Sequence, residues 1–384
     1  MRLLRSWRPP TLLLTCLMVG FLRLAVGAQT VDVSAHGRRL ELGTGDSKVT
    51  VLYLKGTAYE MGYAHGKLCA DEVRYMARKV SPLMMFGLKK TPKEVDAIWS
   101  GYTRHLRPEY LEEVKGLAEG AGVAVEEVQR MLSIPDISEW HCTFFAATGK
   151  ATKGEDLIQI RALDYETRVG IQKYPAIIIS KPEHGIPFMN VGWLGQIGMV
   201  TGMNAAGIAM SEIGDDWDLN TDSFDGRPLN FVMRDTVQYA KNIVEAVGLV
   251  KDGTRTTSLL YCLSSASESQ VRALKTSHAK CLVYSPDNLP FPTKPGLVYM
   301  SMGFDSAWNT KVGNYLNGIY GSIDVPAAQG LMKTLHTGSL HAVVFRPASG
   351  DAWVANATDK VKAYDQPYNH VNLKSALAES FFAN

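Results

Sequence analysis

The sequence lacks the motifs that mark metal and nucleotide sites. Its 384 residues contain five cysteines without a Cys-x-x-Cys pair, and no His-Glu-x-x-His segment occurs, so a zinc site has no support. No Walker A segment is present, and Gly192, Gly195 and Gly198 do not have the Gly-x-Gly-x-x-Gly spacing of a dinucleotide site. A Gly-x-Ser-x-Gly elbow is also absent, which counts against an α/β-hydrolase. We therefore expect neither a metal nor a cofactor.

Outside residues 1–28 the chain has no excess of basic residues. The formal net charge is +2, and four arginines without an acid lie in that first segment, which leaves 36 basic and 38 acidic residues. A nearly neutral chain without a basic cluster argues against nucleic acid as a partner. The composition, 46% hydrophobic and 20% charged, is that of a globular protein, which excludes disordered, collagen-like and coiled-coil classes.

The first 28 residues have the pattern of an export signal. Three arginines precede a twelve-residue, mostly apolar stretch over 11–22, which is too short to span a bilayer. Small residues at 26–28 form a cleavage site, so the mature chain is predicted to begin at Gln29. An uncleaved anchor is the alternative. No later stretch has eighteen uninterrupted apolar residues, so we expect a soluble secreted, periplasmic or lysosomal (lumenal) protein without an integral membrane span.

Export places the cysteines in an oxidising environment. Removal of the signal leaves Cys69, Cys142, Cys262 and Cys281. An even number favours two disulfides. If one cysteine stays reduced for chemistry, the most favoured bridge joins Cys262 to Cys281.

Apolar spacing predicts a helical front and a strand-rich back. Helices are predicted over 57–80, 108–121, 125–132, 229–250 and 310–335, and Pro135 is expected to break the helical pattern. Strands are predicted over 142–148, 157–163, 174–180, 187–193, 197–211, 257–263, 280–285, 340–345 and 352–355. This order favours an antiparallel α+β layer fold over a doubly wound sheet.

The residues around Cys142 indicate a chemistry. Trp140-His141-Cys142-Thr143 enters a predicted strand, and Arg161 and Asp164 follow one hairpin later. A cut before Cys142 would give one residue both a thiol and an α-amine of pKa about 7.7–8.0, so nucleophile and general base would be joined covalently. Arg161 would favour the thiolate, and Asp164 would orient the amine. The thiol could make the cut itself by attacking the carbonyl of His141, giving a thioester that water opens.

Each part of this pattern also has a plain structural interpretation. A cysteine at the start of a strand ordinarily packs, and Arg and Asp three residues apart ordinarily form a surface ion pair. In a regular strand positions 161 and 164 face opposite sides, so a bulge or a strand end is needed to bring both to one site.

Five segments in chain order extend the pattern. They are Gly56–Gly66, Cys142-Thr143 with Arg161-x-x-Asp164, Thr201–Gly207, Gly226–Leu229 with Arg234, and Leu340–Val354. Together they resemble the N-terminal-nucleophile hydrolases of the acyl-coenzyme A:6-aminopenicillanic acid acyltransferase type (peptidase family C45), with bile salt hydrolases and acid ceramidase more distant. The resemblance covers most of the mature chain.

The resemblance implies a four-layer αββα fold with two stacked antiparallel sheets. It implies a cut between His141 and Cys142, which leaves a helical fragment 29–141 associated with a catalytic fragment 142–384. It further implies that Cys142 is the nucleophile, with Arg161 and Asp164 as its partners. The resemblance also implies that Asn204 donates a hydrogen bond to the oxyanion, through its backbone or its side chain. Such a donor typically stabilises the transition state by roughly 2.7–4 kcal/mol.

Three positions depart from the family pattern. Met302 stands at or near a second asparagine of bile salt hydrolases, so either Asn309 or a backbone amide substitutes, or the oxyanion hole is weaker. Ala162 replaces the usual asparagine after the arginine, and His141 replaces a small glycine before the nucleophile. These differences bear on substrate and processing more than on the fold.

Other polar residues have structural interpretations that we favour. His65 and His341 are expected to pack in the core, and Glu60 and Asp235 to pair with buried arginines. Trp193 either lines an acyl pocket or packs.

Three functions are compatible with the sequence. The first is an exported, self-processing cysteine amidase or acyltransferase that acts on small-molecule N-acyl compounds through an acyl-Cys142 thioester. The second is a lipid-directed hydrolase of the same fold, similar to acid ceramidase or phospholipase B-like proteins. A wide apolar groove would favour it, and Met84 and Met85 could edge that groove, although core filling is their default role. The third is a secreted binding protein without catalysis, which two disulfides would support.

Overall fold

The computed structural model describes residues 31–138, 142–304 and 306–383, and the chain from Asp32 onward forms one compact unit. The predicted signal at 1–28 and the residue His141 lie outside the described residues. The helices are α1 (Val33–His36), α2 (Ala58–Leu68), α3 (Ala70–Tyr75), α4 (Ser81–Gly87), α5 (Pro92–Thr103), α6 (Pro108–Ala121), α7 (Val125–Ile137), α8 (Leu229–Tyr239), α9 (Ile243–Lys251), α10 (Ala307–Gly318), α11 (Val325–Leu335) and α12 (Leu373–Leu377).

The strands are β1 (Gly37–Leu42), β2 (Val49–Gly56), β3 (Cys142–Thr148), β4 (Leu157–Leu163), β5 (Pro175–Pro182), β6 (Phe188–Trp193), β7 (Thr201–Asn204), β8 (Ile208–Gly214), β9 (Leu259–Ser265), β10 (Gln270–Thr276), β11 (Cys281–Tyr284), β12 (Leu297–Ser301), β13 (His341–Arg346), β14 (Asp351–Asn356) and β15 (Asn369–Asn372). They form a nine-stranded sheet in the order β1-β2-β5-β6-β7-β8-β9-β10-β11 and a six-stranded sheet in the order β12-β3-β4-β13-β14-β15.

Neighbouring strands in both sheets run antiparallel except β2 and β5, which are parallel. The helical front therefore also supplies two strands, β1 and β2, to the larger sheet. Strand β2 was not predicted, although its apolar run from Val49 to Leu54 is typical of a strand buried on both faces.

The two sheets pack face to face with helices on their outer surfaces. Strands β3 and β4 contact β8, and β12 contacts β10. Helix α2 lies on β2, α8 and α9 lie on β7 to β9, and α10 and α11 lie on the smaller sheet. Side chains alternate along β2: Val51 and Tyr53 pack between the sheets, while Leu52 and Leu54 pack against the helices. This order of layers confirms the predicted αββα architecture of the α+β class.

Glycines allow α2 and α6 to cross in backbone contact. A Cβ atom at Gly62 would lie 2.1 Å from the Glu113 carbonyl oxygen, and one at Gly116 would lie 2.3 Å from the Tyr59 carbonyl oxygen. Gly66 is crowded in the same way, at 2.4 Å from the Leu117 carbonyl oxygen. Part of the 56–66 motif is thus explained by helix packing, because any larger side chain would force the two helices apart.

The segment from Ala70 to Gly87 is helical throughout, and its central turn, Met76–Val80, is a π-helix. Turns of π-helix are rare in proteins, but those that occur often lie at functional sites. Here the π turn and α4 present Met76, Val80 and Met84 to one cavity, which is described below.

Several helix predictions need correction. Helix α7 continues through Pro135 to Ile137, because a proline so near the helix end removes only one backbone hydrogen bond. The predicted helix over 229–250 is two helices, since Ala240 is extended and Asn242 caps α9. The predicted helix over 310–335 is likewise α10 and α11, and α5 was not predicted.

Candidate active site

Cys142 is the first residue of β3, which lies between β12 and β4 inside the smaller sheet. It is fully buried. The register places Cys142 opposite Leu163 and Phe144 opposite Arg161. Because opposed residues of antiparallel strands share a face, Cys142 and Arg161 point to the same side of the sheet. That side faces the larger sheet, since Arg161 contacts Glu212 of β8.

Arg161 joins the cysteine to a buried carboxylate. Its Nη2 lies 2.5 Å from Glu212 Oε1, and its Nη1 donates to the Ala162 carbonyl oxygen at 3.1 Å. The guanidinium also lies close enough to the Cys142 thiol for its charge to lower the pKa of that thiol. Arg161 and Glu212 are both buried, so neither charge is screened by water.

The environment of the thiol keeps it protonated in the uncut chain. Burial raises the pKa of Cys142 to about 11, and this effect exceeds the lowering by the Arg161 charge. The carboxylates of Glu212 and Asp164 raise the pKa further. At neutral pH the thiol therefore needs a base to become a nucleophile.

Asp164 approaches from the opposite face of the strand pair. Strand β4 ends at Leu163, so Asp164 lies beyond the strand end, as the alternation argument required. Its Oδ2 accepts from the Thr337 hydroxyl at 2.7 Å, and its Oδ1 accepts from the Ser339 amide at 2.8 Å. Arg161 and Asp164 thus lie on different faces of the strand pair, and the charge of each acts on the Cys142 thiol.

A buried chain of hydroxyl groups connects Asp164 to the residue after the cysteine. Thr337 Oγ1 lies 2.9 Å from Thr143 Oγ1, which lies 2.7 Å from Ser301 Oγ. Because the Thr337 hydroxyl donates its single proton to the carboxylate, it accepts from Thr143, and Thr143 accepts from Ser301. All three hydroxyl groups are therefore oriented toward Asp164.

An apolar cavity of about 110 Å³ opens beside the thiol. Its wall is mostly aliphatic, with Met76, Val80, Met84, Met131, Leu132, Ile134, Leu163, Ile171, Leu194, Val200, Leu229 and Leu340. Its polar residues are Ser81, Ser138, Cys142, Tyr165, Gln196, Glu212 and Asn230. Trp193 also lines it, which agrees with the acyl-pocket alternative for this residue, and so does Met84. Met85 packs in the core.

Glu212 was missed by the sequence reasoning. The signal that could have found it is a single acid in an otherwise uncharged strand, Ile208–Gly214, whose residues are all buried. A buried acid requires a cationic partner, and in this strand arrangement the partner is Arg161.

Asn204 is not among the residues that line the cavity. Its Nδ2 donates to the carbonyl oxygens of Val237 and Ala240, each at 2.8 Å. Its Oδ1 accepts from the amides of Ala206 and Ile208, each at 3.0 Å. The side chain thus holds the β7–β8 turn against the end of α8 and has no spare hydrogen for an oxyanion. The predicted oxyanion role of Asn204 stays a prediction that these side-chain contacts do not support.

Asn309 supports the loop that follows β12. Its Oδ1 accepts from the Ser301 amide at 2.7 Å, and its Nδ2 donates to the Phe304 carbonyl oxygen at 2.6 Å. Within this loop Met302 has a left-handed φ of 56°, and its amide donates to the Cys142 carbonyl oxygen at 2.8 Å. Met302 and Asn309 therefore fix the start of β3, and neither lines the cavity.

The two core histidines have the structural surroundings that we favoured. His65 Nε2 accepts from the Gly195 amide at 2.9 Å, and burial lowers its pKa to about 4. His341 is buried beside Trp193, with ring centroids 5.8 Å apart, and burial together with the Arg161 charge lowers its pKa to about 3. Both rings are neutral at physiological pH.

The two carboxylates that we expected to pair with arginines behave differently. Asp235 pairs with Arg107 and Arg227 at 2.6 Å and 3.4 Å. Glu60 instead forms a capping box with Thr57 and lies 3.5 Å from His36, so its predicted arginine partner is wrong.

The expected disulfides are not formed. No disulfide joins any two of Cys69, Cys142, Cys262 and Cys281. Cys262 lies on β9 and Cys281 on β11, with β10 between them. Two strand spacings of about 4.8 Å separate their backbones by more than the roughly 7 Å that a disulfide can bridge. The predicted Cys262–Cys281 bridge is therefore wrong for this fold.

In the part of the chain that the structure describes, no three His, Cys, Asp or Glu side chains are grouped to hold a metal ion. Over the same residues no helix is both long enough and apolar enough to cross a membrane.

Comparison with known proteins gives distant relatives. No family model matches the chain. Protein dcd1A of Dictyostelium discoideum is 24% identical over 396 residues, covering 90% of this chain and 89% of its own length. Protein dcd1B of the same organism is 24% identical over 362 residues, covering 85% and 72%. An uncharacterised protein of Archaeoglobus fulgidus is 28% identical over 390 residues, covering 84% and 64%.

Solved structures that resemble the chain include amidohydrolases and an acylase. An N-acylethanolamine-hydrolysing acid amidase orthologue of Caenorhabditis elegans has a TM-score of 0.45 at 15% identity, covering 59% of this chain and 98% of its own. A conjugated bile acid hydrolase mutant of Clostridium perfringens has a TM-score of 0.45 at 11% identity, and the match covers 63% of this chain and 94% of the hydrolase chain. Penicillin V acylase of Agrobacterium tumefaciens has a TM-score of 0.40 at 13% identity, and the match covers 61% of this chain and 86% of the acylase chain. At such scores the likeness carries no argument, and function has to be argued from the residues around Cys142.

Proposed function

We propose that this chain is an exported cysteine amidohydrolase or acyltransferase that activates itself by cutting between His141 and Cys142. The observation that carries the proposal is the placement of one buried cysteine. Cys142 begins a central strand, its thiol contacts the Arg161 guanidinium, and it lines an apolar cavity. Asp164 lies beyond the end of the neighbouring strand, bonded to Thr337 and Ser339. We also propose that the chain belongs to the N-terminal-nucleophile hydrolases of the C45 type.

The first step is self-cleavage. The Cys142 sulfur attacks the carbonyl carbon of residue 141, the thiol proton passes to the departing peptide nitrogen, and that nitrogen becomes the α-amine of Cys142. The thioester formed is opened by water, which restores the thiol and leaves a carboxylate on residue 141. The fragments 29–141 and 142–384 are expected to stay associated, because β2 pairs with β5 along seven residue pairs.

The second step uses the new α-amine as the base. The amine takes the thiol proton, and the thiolate attacks the carbonyl of an N-acyl substrate. The ammonium returns its proton to the leaving amine as the carbon–nitrogen bond breaks. Water or another amine then releases the acyl group from the Cys142 thioester. Arg161 stabilises the thiolate, and Asp164 is placed to orient the amine.

The apolar cavity favours a substrate whose acyl group is hydrocarbon-like. Its aliphatic wall offers few hydrogen bonds, so specificity for this half of the substrate depends on shape and burial. The aliphatic wall of the cavity is also compatible with the second candidate function, a lipid-directed hydrolase of the same fold. Activity confined to short polar N-acyl amines would exclude that candidate. The third candidate, a binding protein without catalysis, has lost its expected support because the four described cysteines are unbridged.

A denaturing gel with N-terminal sequencing tests the proposal. Purified wild type is expected to give two bands, the smaller ending before Cys142 and the larger beginning with it. Cys142→Ala is expected to remain one chain. Cys262→Ala is the matched control, since Cys262 is, like Cys142, a buried strand cysteine without a disulfide, and it should be cut like wild type. An uncut wild type or a cut Cys142→Ala chain would refute self-processing.

A further inference from the structure

Helix α4 presents apolar side chains to solvent on one face and to the cavity on the other. Phe86 is 84% exposed and Leu83 is 45% exposed, and their spacing of three residues places them on the same side of the helix. Met84, one residue from Leu83, is buried and lines the cavity. Exposed apolar side chains that form a patch rimmed by polar residues mark interaction surfaces.

Lysines surround these two apolar side chains. Lys79 precedes Leu83 by one helical turn, and Lys89 and Lys90 follow the end of α4. Among the described residues none of these three lysines forms a salt bridge, although the charge of Lys90 acts on Glu94. Arg74 and Arg78 of the same segment pair with Asp71 and Glu127. We define the α4 patch as Leu83, Phe86, Lys79, Lys89 and Lys90.

The charge around the α4 patch is one-sided. From Val73 to Lys93 the sequence has six basic residues and no acid, although the chain beyond residue 28 is slightly acidic. Glu94, the first acid that follows, is held by Thr91 in a capping box. The net charge of the whole chain therefore hides a local excess of basic residues in this segment.

The backbone of the helix end is satisfied internally. The amides of Leu88 and Lys90 donate to the carbonyl oxygens of Met84 and Met85, each at 2.9 Å. The Lys89 amide donates to the Phe86 carbonyl oxygen at 3.1 Å. The carbonyl groups of Met84, Met85 and Phe86 would therefore stay paired if this end of α4 left water.

We propose that the α4 patch docks the protein on an anionic lipid surface. Phe86 and Leu83 would enter the boundary of headgroups and acyl chains, while the lysines contact the acidic headgroups. The complementary charge favours an anionic bilayer over an apolar protein surface. This arrangement would bring the cavity beside the lipid, since Met84 of the same turn lines the cavity. The use of that position for catalysis rests on the proposed function.

Vesicle sedimentation with the full exported protein tests this docking. We expect binding to vesicles of phosphatidylcholine mixed with phosphatidylglycerol, and weaker binding to phosphatidylcholine alone or at about 1 M salt, where charges are screened. Phe86→Ser is expected to weaken binding about ten-fold or more, because burial of a phenylalanine ring is lost. Lys89→Glu/Lys90→Glu is expected to weaken it at low salt only.

Matched controls separate the α4 patch from the rest of the surface. Val244→Ser removes another highly exposed apolar residue, on α9, and Lys360→Glu/Lys362→Glu reverses two exposed lysines elsewhere. Both should bind like wild type. Equal binding of Phe86→Ser and wild type, no binding of wild type, or a wild-type dimer that Phe86→Ser dissociates would each overturn the proposal. Cys142→Ala should still bind vesicles, so failure of docking and failure of the proposed catalysis are distinguishable.

Discussion

Arg161–Glu212 and Arg234–Glu113 are both buried arginine–glutamate pairs, with closest atoms at 2.5 Å and 3.1 Å. The second pair is complete. Arg234 Nε donates to Gln238, Nη1 to the Ile197 carbonyl oxygen and Nη2 to Glu113, and aromatic rings cover the guanidinium. This pair ties α8 to α6, and each of the three guanidinium nitrogens of Arg234 has an acceptor.

The first pair is incomplete. Arg161 Nε has no nitrogen or oxygen partner among the described residues, and the guanidinium lies against a thiol instead. Glu212 and Cys142 both line the cavity. Two pairs of the same composition thus differ in whether the arginine Nε has an acceptor. A buried arginine with an unused Nε beside a nucleophile indicates chemistry.

The largest expected difference comes from replacing each pair by apolar residues. Arg161→Met and Arg234→Met should each lose about 3–5 kcal/mol in free energy of unfolding, because a carboxylate is left buried without its partner. Arg161→Met/Glu212→Leu and Arg234→Met/Glu113→Leu should recover most of that stability. Only the first double variant should then lose self-cleavage, by about 10²-fold or more, since the thiolate has lost its charge partner.

Urea unfolding and gel time courses measure the two properties separately. If Arg161→Met/Glu212→Leu folded and cut itself at the wild-type rate, the distinction between the two pairs would fail.

A smaller effect is expected from removing one charge at constant shape. The Glu212 carboxylate raises the pKa of the Cys142 thiol, so Glu212→Gln should lower that pKa. The midpoint of iodoacetamide alkylation of Cys142, followed by mass spectrometry from about pH 7 to 11, should shift to lower pH. Glu113→Gln should leave the midpoint unchanged. A shift in the opposite direction would show that Glu212 acts by ordering Arg161 rather than by its charge.

The hydroxyl chain gives the next effect. Thr337→Val removes the proton that Asp164 accepts, and hydrogen bonds to charged groups are worth about 1.5–3 kcal/mol, so hydrolysis should slow roughly ten-fold or more. The acid limb of the pH–rate profile should move as well, while Thr337→Ser should restore both. Thr236→Val is the control beside the complete pair, because that buried hydroxyl donates only to the Val232 carbonyl oxygen. An unchanged pH profile in Thr337→Val would leave Thr337 with a packing role only.

The smallest effect concerns His65 in the helical front. Its pKa is lowered to about 4, so the unfolded chain, with a histidine pKa near 6.5, binds the proton first. Stability is therefore full above about pH 6.5 and falls as the pH decreases toward 4, by about 1.4 kcal/mol at pH 5.5 for this group. His65→Gln should reduce that slope in urea unfolding, and His184→Gln, an exposed histidine, should not. Equal slopes in all three proteins would contradict the lowered pKa.

Local pattern predicted most of the secondary structure. The hairpin Cys142–Thr148 and Leu157–Leu163 was found from apolar runs separated by a turn, and α6 was found from helical spacing after Pro108. Strand β2 and helix α5 were missed although their local patterns are visible, whereas another miss reflects tertiary packing. The helix predicted over 229–250 breaks at Ala240, where the carbonyl oxygen binds Asn204.

The candidate site was predictable only in part. Cys142, Arg161 and Asp164 lie on one hairpin, so their proximity follows from the register of two adjacent strands. Glu212, Thr337 and the cavity depend on other strands and loops, and no spacing in the sequence relates them to the hairpin. Asn204 illustrates the reverse: its motif is visible, but its side chain is used by the β7–β8 turn and by α8.

The sequence by itself determined the layered α+β pattern, the hairpin that begins at Cys142 and the absence of common metal motifs, because these depend on neighbours along the chain. The tertiary structure decided which buried arginine faces the thiol, which acid pairs with it and which cysteines can meet. Those outcomes depend on how the two sheets stack, since side chains brought together across the sheets come from segments more than fifty residues apart.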